Sequence, residues 1–192
     1  MLLPVDDLPS RRAVITEPSS VTLRAALHWG GEGERAVVIG PGPIGLLTTL
    51  ALRRLHPDLH LSVVSPSEFG SRWALRVGAD RALPAGHPAI RAIAEQDGSR
   101  LVTRAHVPGQ AHYPLLEQGV DLVVDCVGSS ETIELGLRML RARGMLVLVG
   151  AANQQPMDWS LVWKREITVQ GTTDPGPEPR LGGRRGHEQV IE

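Results

Sequence analysis

The 192-residue sequence predicts an α/β fold, a doubly wound, mostly parallel sheet with helices on both faces. Three observations predict it. Short runs of apolar and β-branched residues, of the kind that form buried parallel strands, recur along the chain, and apolar residues at helical spacing lie between several of them. The first such run passes through a glycine cluster straight into a helical pattern. The composition, 42% hydrophobic and 21% charged, is that of a globular chain and argues against a disordered one or a fibre.

A first helix is expected over 18–29, with Thr16 or Glu17 at its N-terminus, a proline in its first turn, and Val21, Ala25 and Trp29 along one face. Gly30 and Gly31 end it. A buried strand over 35–39 follows, then a helix on which Ile44, Leu47, Ala51 and Leu55 share a face. The second strand, 60–64, feeds a helix over 68–77 whose Phe69, Trp73 and Val77 lie four apart, with Gly78 as a left-handed cap. Prolines and glycines blur the pattern over 84–119, where the reading is a helix over 89–96 and a strand over 101–104. The strongest strand, 120–127, runs through Gly128, Ser129 and Ser130 into a helix with Ile133, Leu137 and Leu140 on one side, capped by Gly144. Strands over 145–149 and 166–169 complete the sheet.

Charge and cysteine content exclude several classes of function. Twenty Lys and Arg balance 21 Asp and Glu, so there is no electrostatic footprint for nucleic acid. Cys126, the single cysteine, can form neither an internal disulfide nor a four-cysteine zinc site. No stretch reaches the roughly 18 consecutive apolar residues of a membrane span. Asp6 and Asp7 stand where a signal peptide would be basic, and the expected compartment is the cytoplasm.

Gly40-Pro41-Gly42-Pro43-Ile44-Gly45 matches G-x-G-x-x-G. In a chain with 21 glycines the match alone is weak, but its place between a strand and a helix gives it meaning. That placement aims backbone N–H groups and the positive end of a helix dipole at a pyrophosphate, the arrangement of the Rossmann dinucleotide fold. Gly40 would make the tight turn, Gly42 would let the backbone approach the phosphates, and Gly45 would let the helix pack close to the strand. Counting about 20 positions on, to where an acidic residue would meet the adenosine ribose, lands on Ser65. Serine there spares an NADP phosphate the repulsion of a carboxylate, yet no Arg or Lys precedes Arg72 to attract one. The cofactor is NAD or NADP, and Glu68 is a second candidate for the ribose.

Several segments in order, Glu17-Pro-Ser-Ser-Val, 36–47 (AVVIGPGPIGLL), 75–83 (LRVGADRAL), 120–129 (VDLVVDCVGS), 144–150 (GMLVLVG) and 163–172 (WKREITVQGT), resemble the cofactor-binding half of zinc-type medium-chain dehydrogenases. Alcohol, sorbitol and threonine dehydrogenases belong to that superfamily. The resemblance covers roughly residues 8–173. It implies a nicotinamide near Val127 and Gly128 and near Val149, Gly150 and Ala151. It implies three segments: 1–16 as the connection from a catalytic domain, 17–173 as the NAD(P)-binding domain, and 174–192 as a loop and tail. In the resembled proteins the zinc ligands lie in that other domain, so zinc is expected only in a full-length parent and the chain reads as a fragment or an excised domain. Glu17 matches a position where some relatives place a zinc ligand, but one carboxylate cannot supply the three protein ligands a zinc needs, and a charge in the first turn of a helix explains it as well. The resemblance also implies a homodimer in which the edge strand within 166–171 pairs with its twin.

Other residues read as structural. Cys126 lies in an apolar run as a small buried side chain, and the seven histidines show no paired metal spacing. Trp159 and Trp163, four apart, suggest a helical face in the core or at an interface. The resemblance implies hydride transfer between an alcohol or polyol and nicotinamide in the parent enzyme. A dinucleotide-binding sensor or scaffold without catalysis is the alternative. An S-adenosylmethionine methyltransferase is a third reading, but it predicts an acidic residue where Ser65 stands.

Overall fold

A computed structural model describes residues 8–102, 114–173, 176–184 and 186. A short helix, α1 (Ser10–Ala13), precedes α2 (Thr16–Leu27). The βα alternation then runs β1 (Arg35–Ile39), α3 (Pro43–Leu55), β2 (His60–Ser65), α4 (Glu68–Arg76), β3 (Arg81–Pro84) and α5 (Pro88–Asp97). After β4 (Leu101–Val102) and β5 (Leu115–Leu116) come β6 (Val120–Asp125), α6 (Ser130–Met139), β7 (Leu140–Leu148), α7 (Ser160–Arg165) and β8 (Thr168–Gly171). Six strands form a parallel sheet in the order β3-β2-β1-β6-β7-β8, while β4 and β5 make a separate antiparallel pair. The strand order reverses between β1 and β6. In an open α/β sheet that switch point is where a crevice forms beyond the carboxyl ends of the strands.

The core divides along the period of two that a strand imposes on its side chains. Val37 and Ile39 of β1, Val123 of β6 and Leu146 of β7 pack with α5, α6 and α7 on one face. Ala36 and Val38, Leu122 and Val124, and Val147 pack with α2, α3 and α4 on the other. Burial on both faces explains why these strands read as nearly unbroken apolar runs.

The structure corrects several boundaries. The first long helix begins at Thr16 and ends at Leu27, so Trp29 is buried beyond its end. Gly78 does take a positive φ, 113°, with the Arg53 side chain lying over it. Gly144 does not cap α6. Leu140, fully buried, turns extended (φ −69°, ψ 142°) and pairs at once with Val120, and the chain then bulges outward before the ladder resumes at Met145. The register shift that follows places Arg143 at φ 60°, and a Cβ on Gly144 would lie 3.1–3.2 Å from the carbonyl oxygens of Arg141 and Asp121. The last strand starts at Thr168, because Glu166 takes a left-handed conformation (φ 52°) at the end of α7. Trp159 and Trp163 are exposed, at 50% and 78%, and are not core residues. Sequence reading missed β3, four residues ending in proline, and of the strand expected over 101–104 only 101–102 lie within the described residues. Among the described residues no helix is long and apolar enough to cross a membrane.

At the amino-terminal edge of the sheet, Asp121 joins three strands. Its Oδ2 accepts the N–H groups of Glu34 and Arg35, both at 2.9 Å, and its Oδ1 accepts from Arg141 Nε. Burial works to raise the Asp121 pKa, but the Arg141 guanidinium and the two amides outweigh it and hold the carboxyl below its ordinary value. The stabilisation is therefore present above the unfolded-state pKa of about 3.9 and is lost as pH falls through the lower folded-state value. Asp121→Asn should cost about 2 kcal/mol in urea unfolding at pH 7. The difference from wild type should shrink in melts repeated below about pH 4.

Candidate functional site

Three turns lie side by side at the carboxyl edge of the sheet, after β1, β6 and β7. In the first, Gly40 donates its N–H to Val64 O (3.1 Å) and takes φ 94°. A side chain there would also strike Val127, whose Cγ2 lies 2.6 Å from the would-be Cβ. Gly45 sits in α3 with its α-carbon against the Gly40 carbonyl, where a Cβ would fall 1.8 Å from the oxygen. Strand and helix therefore meet backbone to backbone. Gly42 differs from both: it is the N-cap of α3 with ordinary dihedrals (φ −73°, ψ −178°), and nothing lies within 4 Å of a Cβ placed on it. The fold does not need glycine there. Pro43 occupies the first turn, no side chain caps the helix, and no acid lies in its first turn, so its leading amides face the crevice. Gly42 and Pro43 are exposed, and Ile44 is half-buried.

Ser65 ends β2 as a buried residue. Its hydroxyl donates to Ser67 O (2.8 Å) and accepts the Ser67 N–H (3.3 Å), while Ser67 Oγ accepts from Gly70 N to cap α4. Gly70 in turn abuts Pro41 of the glycine loop. No carboxylate ends this strand. Glu68 is exposed in the first turn of α4, and Arg72 is exposed on the same helix.

The second turn is organised by Asp125, fully buried at the end of β6. Its Oδ1 accepts from Val127 N (2.9 Å) and Gly128 N (3.2 Å), and its Oδ2 from the Thr132 hydroxyl (2.9 Å). Burial raises its pKa, opposed by these three donors. Its carbonyl oxygen accepts the N–H groups of Val149 (2.9 Å) and Gly150 (3.0 Å) in the third turn. Gly128, at φ 84°, then packs on Gly150: a Cβ on Gly150 would lie 2.4 Å from the Gly128 nitrogen. These two glycines have a structural reason independent of any ligand. Val127, half-exposed, bridges the turns after β6 and β1, and Ala151 is exposed at the start of the loop after β7. Sequence reading noted Val127, Gly128, Val149, Gly150 and Ala151 but not Asp125, whose carboxylate inside an apolar run was the available signal.

A cavity of about 570 Å3 opens beside the third turn, walled among others by Arg24, His28, Gly150, Ala151, Gln170 and Thr172. The size is that of a small-molecule site. Arg24 pairs with buried Glu178 at 3.4 Å and donates to Gly176 O (3.1 Å), which ties the 176–184 segment to α2. Burial, reinforced by Arg24, lowers the His28 pKa below its ordinary value. Cys126 lies behind the glycine loop with its sulfur 3.7 Å from the Thr48 hydroxyl, and burial pushes its thiol up to about 12, far from a reactive thiolate. Glu17 is exposed in the first turn of α2. Among the described residues no three His, Cys, Asp or Glu side chains gather as metal ligands, so these residues do not fit a zinc ion.

The glycines of the first turn make opposite predictions. Gly45→Ala should cost at least about 3 kcal/mol in chemical unfolding, because its methyl group would overlap a carbonyl oxygen. Gly42→Ala should stay within about 1 kcal/mol of wild type.

Residues 43–179 match the family model described as zinc-binding dehydrogenase. The chain is 26% identical over 167 residues to an L-threonine 3-dehydrogenase of Anaeromyxobacter sp. (strain K), covering 86% of this chain and 43% of that protein. It is 27% identical over 185 residues to a sorbitol dehydrogenase of Halalkalibacterium halodurans, covering 92% and 48%. Its fold superposes with a TM-score of 0.71 and 16% identity on a short chain alcohol dehydrogenase from E. coli CFT073 complexed with the cofactor NADH, covering 100% of this chain and 49% of that one. The chain thus spans about half the length of the relatives it matches. The order of motifs, the doubly wound sheet and the family match agree, and this chain belongs to the zinc-binding dehydrogenase family.

Proposed function

We propose that this chain is the NAD(P)-binding part of a zinc-type alcohol or polyol dehydrogenase, with 17–173 as the binding unit. Gly42 carries the reading: a glycine that the fold does not require stands at the uncapped N-terminus of a 13-residue helix, on the open side of the loop. In this reading the α3 amides and helix dipole hold the pyrophosphate between Gly40 and Gly45, with Pro43 presetting the first turn and Ile44 flanking it. The end of β2, with Ser65 and Glu68, takes the adenosine ribose. Val127, Gly128, Val149, Gly150 and Ala151 take the nicotinamide. A bound nicotinamide supplies the hydride chemistry, while these residues orient it and keep it against the sheet edge. The described residues gather no set of zinc ligands. A single cysteine, which can form no internal disulfide, supports a cytoplasmic location.

Isothermal titration with NADH, NADPH and S-adenosylmethionine tests the assignment. One of the two dinucleotides should bind and S-adenosylmethionine should not. Gly42→Val should remain folded by circular dichroism and lose dinucleotide affinity at least about tenfold, through a branched side chain where the pyrophosphate approaches. Unchanged affinity in the folded variant would refute the assignment.

We further propose a homodimer through the outer edge of β8, where Thr168, Val169 and Gln170 offer a short strand without proline that is paired on one side only among the described residues. Light scattering should report a dimer for wild type and a shift towards monomer for Thr168→Pro, which removes a backbone donor. A monomeric wild type would count against the shared sheet.

A further inference from the structure

The loop after β7 returns to the site through one side chain. Residues 151–154 are exposed, whereas Gln155 is half-buried and folds back across the end of β6. Its Nε2 donates to Gly128 O (3.0 Å), and its Oε1 accepts from the Ser130 hydroxyl (2.9 Å). The Gly128 backbone is thus gripped on both sides of its α-carbon, its N–H by Asp125 and its carbonyl by Gln155. At the other end of the same loop, Gly150 lies backbone to backbone on Gly128. The four exposed residues form a short arch with both feet on one turn, and Ala151 and Ala152 at its start wall the 570 Å3 cavity.

The position of the arch indicates which part of a ligand it meets. A dinucleotide lying across the switch point, with its adenosine at the end of β2 and its pyrophosphate at the loop after β1, carries its second nucleotide over β6 and β7. We propose that Gln155 is a positioning residue for the nicotinamide half of the cofactor: it holds the 151–154 arch in its binding shape before the ligand arrives. The inference rests on the dinucleotide reading above. Its physical basis is preorganisation, since a loop already pinned at both ends loses little further freedom on binding, whereas an untethered one must be ordered by the ligand itself. Gln155 touches the ligand in neither case and acts through Gly128 and the arch.

The test compares two ligands that differ only in the second nucleotide end. Calorimetry would measure NADH and ADP-ribose, or NADPH and 2′-phospho-ADP-ribose if the wild type prefers the phosphorylated form, against wild type, Gln155→Ala and Gln155→Glu. Gln155→Glu keeps an acceptor for Ser130 but loses the donor to Gly128 O. Both variants should weaken the full dinucleotide about tenfold and leave the nicotinamide-free ligand within twofold of wild type, with thermal unfolding confirming a folded protein. Equal losses for both ligands would show a general structural role, and unchanged affinity for both would show that the tether does nothing for binding; either result overturns the inference. A variant too unstable to titrate counts the same way, because it makes the tether a requirement of the fold. Failure of wild type to bind either ligand refutes the dinucleotide reading itself, and this inference with it.

Discussion

The site edge depends on contact between bare backbones. Where β1 gives way to α3, and again where β6 and β7 end, main chain lies against main chain with no room for a Cβ, at Gly45 on the Gly40 carbonyl and at Gly128 on Gly150. These contacts bring the three turns within reach of one another and align them along a single crevice. Side chains between them would push the turns apart and open the edge into separate loops. Every other feature of the site, from the exposed Val127 to the arch after β7, is placed relative to this glycine-packed edge.

Two aspartates at opposite ends of β6 show how the same group serves different environments. Asp121 remains partly hydrated, faces an arginine, and has its pKa depressed. Asp125 is sealed from solvent, meets only neutral donors, and has its pKa raised. A charged partner makes the first a source of stability at neutral pH. For the second, burial opposes ionisation and its three hydrogen bonds favour it, so its value lies in the geometry those bonds impose on Val127 and Gly128.

Much of this was legible in the sequence because the signals were local. The bounds of β1, the glycine loop and the Ser65 position follow from residue type and spacing within a few neighbours. Features made by distant segments were not legible. Gly144 after an apolar helix reads as a cap, yet Leu140 was already committed to pairing with Val120, and tertiary pairing overrode the local signal. β3 was missed because Arg81–Pro84 is an edge strand whose partner, β2, is some 20 residues earlier in the chain. Asp125 was passed over because nothing in VVDCVG tells which amides its carboxylate will meet. Gln155 carries no signal at all, since its partners Gly128 and Ser130 lie 27 and 25 positions away.

The pairing of Leu140 with Val120 directly at the end of α6 has a mechanical consequence. The unit β6-α6-β7 is a closed frame: Asp125 and the Ser129–Thr132 capping box fasten it at the crevice, and Asp121 with Arg141 fastens it at the far end, about 15 Å along the helix. With Leu140 shared between the last helical turn and the first ladder pair, α6 works as a rigid strut. The turn bearing Gly128 and the Asp121 clamp are thereby the two ends of one hydrogen-bonded unit, and the crevice shares its footing with the opposite rim of the sheet.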